Sequence, residues 1–239
     1  CAASSTSKRP ASMRRLVTLF TLLGSLISCG GDATDTSDTA ASGMTVSLSG
    51  SPSAQIWQGQ CAACHGAAGE GNRALGAPAL TQLSADYLTR QLRHFVSGVR
   101  GAHPNDSAGK RMALSVANLS ETDIPGLAAL IITELPPAQP PVTLKGDASR
   151  GEDYYVNICS ACHAGNALGN DALGAPALAG VNDWYLKSSY QSYLDGSRGT
   201  HPDDFYGAQM ARLAPALAKG DDIDDVIAFI TTLPPRRSP

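Results

Sequence analysis

Apolar residues are distributed unevenly along the 239-residue chain, and their pattern divides it into three regions. Residues 13–28 begin with Met and two arginines and continue as an apolar run that is too short to span a bilayer comfortably. Residues 30–50 are almost all Ser, Thr, Ala, Gly and Asp, so they bury too little apolar surface to offset the entropy cost of ordering. From residue 50 onward apolar and polar residues are mixed. The pattern therefore predicts a leader, a flexible tether and a globular region.

The globular region contains helix signals and no strand signals. In its first half, one helix is predicted from about Ser53 into Cys61. A second helix begins after Ser84, which can act as its N-cap, and ends at Gly98. A third covers about Asp123–Leu135 and ends at paired prolines. We expect the Gly-, Pro- and Ala-rich segments between these helices to be loops.

The second half of the globular region repeats the first at a constant offset of 98 residues, without a gap. Residues 74–80, Ala-Leu-Gly-Ala-Pro-Ala-Leu, recur letter for letter as residues 172–178. In the second copy the middle helix is predicted to begin after Asn182 and to end at Gly196, and the third helix covers about Asp222–Leu233. A repeat of this kind predicts two tandem copies of one small all-α domain.

The predicted domains follow from this repeat and from the composition of the segments around it. Residues 136–141, Pro-Pro-Ala-Gln-Pro-Pro, predict a stiff, extended joint that keeps the two domains at a limited range of separations. The predicted segments are 1–28 (upstream residues and signal peptide, removed), 29–49 (tether), 50–137 (first domain), 138–147 (Pro-rich linker) and 148–239 (second domain).

The end of the leader predicts a lipid anchor. Residues 26–29, Leu-Ile-Ser-Cys, resemble the lipobox of bacterial lipoproteins, in which the signal peptide is cut before the cysteine and the cysteine is acylated. Lipidation of Cys29 would hold the protein at the periplasmic side of a bacterial membrane. We expect residues 1–12 to lie upstream of a true start at Met13. The alternatives are an ordinary signal peptide with a chance cysteine and, less favoured, an uncleaved membrane anchor.

Each copy contains one C-x-x-C-H motif, as Cys61, Cys64 and His65 and again as Cys159, Cys162 and His163. Two thiols at this spacing can each form a thioether with a haem vinyl group, and the histidine can then bind the iron. Redox dithiols and zinc knuckles share the C-x-x-C pair. The adjacent histidine and the second copy favour covalently bound haem c, one per domain.

Two methionines are candidates for the second axial position on the irons. The chain has only four methionines, and the two in the globular region, Met112 and Met210, each lie 47 residues after a motif histidine. A thioether is a soft, neutral ligand that raises the potential of the iron couple. The methionines could instead be core fillers. The rival ligands are His103 and His201, whose Arg-Gly-x-His-Pro context is typical of an exposed turn.

Other repeated residues could support the haem groups. Pro78 and Pro176 lie 13 residues after the motif histidines, and a backbone carbonyl at or near them could accept the second ring N–H. The alternative is a plain turn proline. Arg100 and Arg198 could pair with haem propionates or be solvated surface arginines. His94 has no counterpart in the second copy and is predicted to be a helix-surface residue.

The formal net charge of −3 gives no sign of a nucleic-acid-binding surface, so we expect no nucleic-acid partner. Residues 50–137 have six acidic and six basic residues, whereas residues 148–239 have eleven acidic and seven basic ones. Electrostatic docking to a basic partner should therefore favour the second domain. Four aspartates at the start of the last helix could complement its dipole or form a docking patch. They are Asp221, Asp222, Asp224 and Asp225.

Residues 50–235 resemble a two-haem class I cytochrome c of the cytochrome c4 type. The resemblance implies two all-α cytochrome domains in tandem, in which a histidine and a methionine bind opposite faces of each haem. It implies haem attachment at Cys61, Cys64, Cys159 and Cys162, proximal ligands His65 and His163, distal ligands Met112 and Met210, and orienting prolines Pro78 and Pro176.

The resemblance also implies a function, that of a one-electron carrier rather than an enzyme. Its expected partners are redox proteins: a donor dehydrogenase or quinol-oxidising complex, and an acceptor oxidase or reductase. The alternatives are a haem subunit of a dehydrogenase complex and, less favoured, a di-haem peroxidase, which needs an exchangeable ligand position. Two features depart from the family: the lipobox-like leader, and the lack of the second methionine that often follows the first as Met-x-Pro-Met.

Overall fold

The computed structural model describes residues 48, 50–217 and 222–236, which all belong to one compact unit. The predicted leader and Cys29, and all of the tether except Leu48, lie outside the described residues, so these assignments remain predictions. No helix among the described residues is long and apolar enough to cross a membrane.

The described residues form an all-α fold, as predicted, with the same order of helices in each copy. The first copy contains α1 (Pro52–Ile56), α2 (Ala62–His65), α3 (Ala85–Val96), α4 (Ser107–Val116) and α5 (Asp123–Thr133). The second contains α6 (Ala148–Tyr154), α7 (Ser160–His163), α8 (Asp183–Leu194), α9 (Phe205–Leu213) and α10 (Asp222–Thr232). Between α1 and α2, and between α6 and α7, the helix continues as one π-helical turn, Trp57–Cys61 and Tyr155–Cys159.

Each helix that the sequence predicts is present, but the copies cap their middle helices differently. Ser84 is the N-cap of α3, where its hydroxyl accepts a hydrogen bond from the backbone N–H of Tyr87 at 3.2 Å. Asn182 precedes α8 but makes no capping bond. Its Oδ1 instead accepts from the N–H of Ala79 in the first domain, at 2.6 Å. The N-cap position of the second copy therefore links the two domains.

The prediction of only three helices per copy was wrong, because α4 and α9 occupy segments predicted to be loops. Asp106 and Asp204 are their N-caps and accept from the N–H of Gly109 at 2.7 Å and Gly207 at 2.9 Å. The glycines that favoured a loop serve packing instead. A Cβ on Gly109 or Gly207 would overlap the capping carboxylate, so glycine allows the cap to close tightly.

Each domain has its own apolar core. In the first, α5 packs against α1 and α3, with Trp57, Ile124 and Leu127 almost fully buried. In the second, α10 packs against α6 and α8 around Tyr155 and Val226. The equivalent positions Trp57 and Tyr155 thus anchor both cores, one turn before the motif cysteines.

The two domains exchange equivalent hydrogen bonds across their interface. Arg100 Nη2 donates to the hydroxyl of Tyr185 at 3.0 Å, and Arg198 Nη2 donates to the hydroxyl of Tyr87 at 2.9 Å. These are the same two positions in each copy, offset by 98 residues. Gln91 Oε1 accepts from both arginines, at 2.7 and 3.2 Å. This reciprocity is typical of a pseudo-two-fold interface.

The prediction that His94 lies on a helix surface was wrong. Its side chain is only 15% exposed, and its Nδ1 lies 3.8 Å from Oδ1 of Asp204 in the second domain. Asp204 thus comes close to His94 from the other domain. Helix periodicity alone does not reveal such a contact, because Asp204 belongs to the other domain and is distant in the sequence.

The linker is fixed to both domains rather than merely spacing them. Ala138 is buried, its N–H donates to Thr81 Oγ1 at 2.7 Å, and its carbonyl accepts from Gln82 Nε2 at 3.0 Å. Farther along, the carboxylate of Asp183 at the start of α8 accepts from the N–H of Leu144 at 2.7 Å. These bonds agree with the predicted limited range of domain separations.

Candidate functional site

The cysteines of both motifs are held as unpaired thiols on the short helices α2 and α7 and the π turns before them. Burial, and then the neighbouring motif thiol, raises the pKa of Cys61 and of Cys159 to about 11. Redox dithiols show the opposite shift, because they need a stabilised thiolate. The described residues also contain no cluster of three or more His, Cys, Asp or Glu that could hold a metal ion. The raised pKa of the first cysteine in each motif is therefore unlike that of a redox dithiol.

The imidazole rings of both motif histidines are oriented by the same hydrogen bond. Nδ1 of His65 lies 2.8 Å from the carbonyl oxygen of Pro78, and Nδ1 of His163 lies 2.8 Å from that of Pro176. A carbonyl can only accept, so Nδ1 carries the hydrogen and Nε2 keeps a free lone pair. Burial lowers the pKa of each histidine, and the hydrogen bond to proline offsets this only in part. Each neutral ring thus offers one nitrogen to a metal.

A glycine in each copy allows the proline loop to approach the motif helix. Gly71 has φ +87°, and a Cβ there would lie 2.6 Å from the backbone N of Ala79 and 2.8 Å from the carbonyl carbon of Pro78. Gly169 has φ +82°, and its Cβ would meet the equivalent atoms of the second loop at 2.6 Å. Only glycine fits both the conformation and the space. The sequence repeats these glycines at the same offset, which is the signal that could have identified them.

The large buried residue before each motif fixes the turn after it. Trp57 Nε1 donates to the carbonyl of Ala67 at 3.1 Å, and the Tyr155 hydroxyl donates to that of Ala164 at 2.6 Å. The donors lie at equivalent positions, but the acceptors differ by one residue, because the equivalent of Ala67 is Gly165. Each motif is thereby braced on one side by this bond and on the other by the proline loop.

The second domain contains a cavity that brings its predicted site residues together. The space within it, including its open mouth, is about 1290 Å³. Its walls include Cys159, Cys162, His163, Pro176 and Met210, and most of the remaining lining is apolar. Met210, rather than its rival His201, lines this space.

The walls of this cavity fit haem. Haem combines an apolar macrocycle with two anionic propionates, and two arginines interrupt the apolar lining, Arg90 and Arg198. Nε of Arg90 is buried and has no hydrogen-bond partner within the described protein atoms. A buried N–H donor without a partner is costly, and an acceptor atom of the cofactor could satisfy it.

In the first domain the predicted residues occupy equivalent positions. Cys61 and Met112 pack against the same core, and Met112 lies in α4 as Met210 lies in α9. His103 and His201 lie in turns, where Nδ1 of each accepts a backbone N–H two residues later at 3.2 Å. This arrangement agrees with the interpretation of these two histidines as turn residues.

Several of the arginines and aspartates that the sequence singled out are buried or form ion pairs within the protein. Arg198 is buried, at 7% exposure, so the alternative of a solvated surface arginine is wrong for this residue. Asp225 is buried and pairs with Arg150, and Asp224 pairs with Lys187 at 2.7 Å. Both carboxylates are thus neutralised locally, which argues against their serving as a docking patch. Asp221 lies outside the described residues.

Comparisons with known proteins place the chain in a family. The family model for cytochrome c matches twice, at residues 51–133 and 148–234. The chain is 34% identical over 151 residues to a thiosulfate dehydrogenase electron acceptor from Thiomonas intermedia, covering 59% of this chain and 66% of that protein, just under two thirds of its length. It is 27% identical over 181 residues to cytochrome c4 from Stutzerimonas stutzeri, covering 72% of this chain and 84% of the relative.

A solved structure shows the same architecture. The crystal structure of reduced cytochrome c4 from Pseudomonas stutzeri superposes with a TM-score of 0.57 at 26% identity, covering 75% of this chain and 98% of that one. Two family matches, each with a C-x-x-C-H motif, imply two haem c groups. The chain therefore belongs to the cytochrome c family, as a two-haem class I member similar to cytochrome c4.

Proposed function

We propose that the protein is a one-electron carrier in which each haem has histidine and methionine axial ligands. The observation that carries this proposal is the cavity of the second domain, where both motif cysteines, the oriented histidine and Met210 line one apolar space. The constant offset of 98 residues extends the assignment to Met112 in the first domain.

The chain's own residues would divide the work of each site. The haem, when bound, supplies a one-electron iron couple. Cys61, Cys64, Cys159 and Cys162 anchor the cofactors, and the carbonyls of Pro78 and Pro176 hold the rings of His65 and His163. Met112 and Met210 would each offer a thioether to the iron, a soft ligand that favours the reduced state. The mostly apolar walls of the second-domain cavity would limit contact between the cofactor and water, which would reduce the reorganisation that accompanies a change of charge.

A carrier is preferred to an enzyme because each domain has its own candidate methionine. A di-haem peroxidase needs one exchangeable position, and the equivalence of Met112 and Met210 argues against it. The propionates are proposed to face Arg198 and, by equivalence, Arg100. For domain boundaries we propose 50–137 and 148–239, which agree with the two family matches.

The proposed partners are redox proteins on the periplasmic side of a bacterial membrane. One relative is named as an electron acceptor of thiosulfate dehydrogenase, which supports a dehydrogenase as donor and also supports the second candidate, a haem subunit docked to a dehydrogenase. An oxidase or reductase would accept the electrons. We further propose attachment to the membrane through lipidated Cys29 after removal of the signal peptide, because residues 26–29 resemble a lipobox.

Single methionine variants test the ligand assignment. In the oxidised protein, methionine sulfur bound to iron gives a charge-transfer absorption band. Met112→Ala and Met210→Ala should each remove about half of that band while two haems per chain remain attached. His103→Ala and His201→Ala, the rival ligands, should leave it unchanged. A band that survives either methionine change in full would refute the assignment, and hydrogen-peroxide turnover by the wild type would refute the carrier.

A further inference from the structure

Four residues of the first domain, Leu83, Tyr87, Arg90 and Gln91, help to line the cavity of the second, and Arg90 makes direct contacts there. Arg90 lies on α3, but its Nη2 donates to the carbonyl of Gly174 at 2.7 Å. Its guanidinium also lies over the ring of Tyr206, 4.6 Å from the centroid, in cation–π contact. Arg90 lines the cavity together with His163 and Met210.

These two contacts of Arg90 fall on segments that carry candidate ligand groups, whereas a third, over the ring of Tyr87 at 5.3 Å, stays within α3. Gly174 lies two residues before Pro176, whose carbonyl orients His163. Tyr206 lies four residues before Met210 on α9, one helical turn away and on the same face. A Cβ at Gly174 would overlap the Tyr206 ring, so the ring also packs directly on the proline loop. One arginine therefore joins the histidine side and the methionine side of the second site.

The first domain makes the corresponding connection with its own residue. Nη2 of Arg111 on α4, adjacent to Met112, donates to the carbonyl of Leu75 in the first proline loop at 3.0 Å. The position equivalent to Arg111 in the second copy is Gln209. In the reverse direction, the position equivalent to Arg90 is Ser188, whose hydroxyl donates to the Tyr185 carbonyl within its own helix at 3.1 Å.

We propose that Arg90 is a positioning residue through which the first domain holds the ligand-bearing segments of the second. The proposal goes beyond the carrier function and rests on its assignment of Met210 as a ligand. The first site is held by its own domain through Arg111, whereas the second depends on domain packing. Methionine ligation in the second domain should therefore respond to changes at the interface, and ligation in the first should not.

Imidazole, which displaces methionine from haem iron, measures how firmly Met210 is held. In a full-length Met112→Ala chain, the remaining charge-transfer band reports only the second site. In this background, Arg90→Gln should lower the imidazole concentration that removes half of the band about tenfold, since the change removes a charge-assisted hydrogen bond. Arg90→Lys keeps the charge and should restore part of the difference. Arg93→Gln on the same helix is the matched control, because its exposed side chain pairs with Glu121 of its own domain, at 2.8 Å.

The Met210→Ala chain, which reports only the first site, distinguishes a positioning role of Arg90 from a general loosening of the fold. In a Met210→Ala chain, Arg90→Gln should leave imidazole binding at the first site unchanged, and Arg111→Gln should strengthen it. If Arg90→Gln matches Arg93→Gln within twofold, or changes both sites equally, the positioning role is refuted. If Met112→Ala fails to halve the band, it is the ligand assignment that fails. Haem content per chain shows that each variant has matured.

Discussion

At the scale of single residues, each site depends on a backbone carbonyl and on the glycine that lets it approach. The Pro78 and Pro176 carbonyls select one tautomer of the motif histidines, and Gly71 and Gly169 create the space for these loops. A side chain at either glycine would force the loop away from the motif helix. The orientation of the histidine would then be lost before any ligand was changed.

Gly169→Ala should lower the free energy of unfolding by about 1–3 kcal/mol, because alanine is strained at φ +82° and its Cβ meets the loop backbone. Denaturant titration of the holoprotein measures the change. Gly165→Ala is the control: a Cβ there meets nothing within 4 Å, so its effect should stay within about 0.5 kcal/mol. Equal stabilities of the two variants would show that the close approach is not needed.

At the scale of helices, the start of α8 supports the linker as well as the helix. The carboxylate of Asp183 accepts from the N–H of Leu144 at 2.7 Å, the hydroxyl of Thr143 at 2.9 Å and the N–H of Trp184 at 2.6 Å. Burial alone would raise the pKa of Asp183, but these hydrogen bonds outweigh it and hold the pKa below its ordinary value of 3.8.

Asp183→Asn should lower the free energy of unfolding by about 1.5–3 kcal/mol at neutral pH. The change removes a charged acceptor, and the NH₂ group of the asparagine would face N–H donors. Because the folded pKa is depressed, the contribution is complete above the unfolded pKa of about 3.9 and is lost as pH falls through the folded pKa. Denaturant titrations above and below about pH 3.9 should therefore show that the wild type loses more unfolding free energy on acidification than Asp183→Asn does. Asp86→Asn, at an exposed position early in α3, should reproduce neither effect.

Much of the fold could be predicted from the sequence, because its signals are local and occur twice. The Ser84 cap, the paired prolines and the motif spacing all depend on neighbouring residues. Helices α4 and α9 were missed because Gly109 and Gly207 read as loop residues until their contact with the capping aspartates is known. His94 and Arg90 could not be assigned, because their contacts come from the other domain.

At the scale of the whole molecule, the two domains share a cluster of arginines and tyrosines, in which Arg198 and Tyr87 are buried and Arg100 and Tyr185 are half-buried. Burial would raise the pKa of Tyr185, but Arg100 and Arg198 outweigh it and lower the pKa to about 7. Since this value lies below that of the unfolded chain, stability should rise between about pH 7 and pH 10 as the phenolate forms only in the folded state. The contribution of the interface to the free energy of unfolding is thus expected to increase above about pH 7.

Tyr185→Phe should abolish this alkaline gain and cost about 1.5–3 kcal/mol near pH 9, because Arg100 loses a charged acceptor. Unfolding free energies at about pH 6 and pH 9 measure both effects. Tyr154→Phe, in the second domain but outside the arginine–tyrosine hydrogen bonds, serves as the comparison. A wild-type stability that is flat or falls over this interval would contradict the account of the interface.

The membrane attachment is a separate prediction of the whole chain. In a bacterial host, Cys29→Ser should move the haem-bearing protein from the membrane fraction to the soluble periplasmic fraction, because the acylated residue is lost. Haem staining of both fractions gives the readout. Retention of Cys29→Ser in the membrane fraction would point to an uncleaved anchor, and wild type in the soluble fraction would point to an ordinary signal peptide.

The central claim is that the chain holds two haem c groups and works as a one-electron carrier. A spectrally followed redox titration of the purified protein, with haem quantified per chain, tests it most directly. We expect two haems and two electrons per chain, taken up in one-electron steps, with the sulfur-to-iron band lost in proportion as both irons are reduced. A single haem, or an oxidised spectrum that lacks this band, would contradict the account.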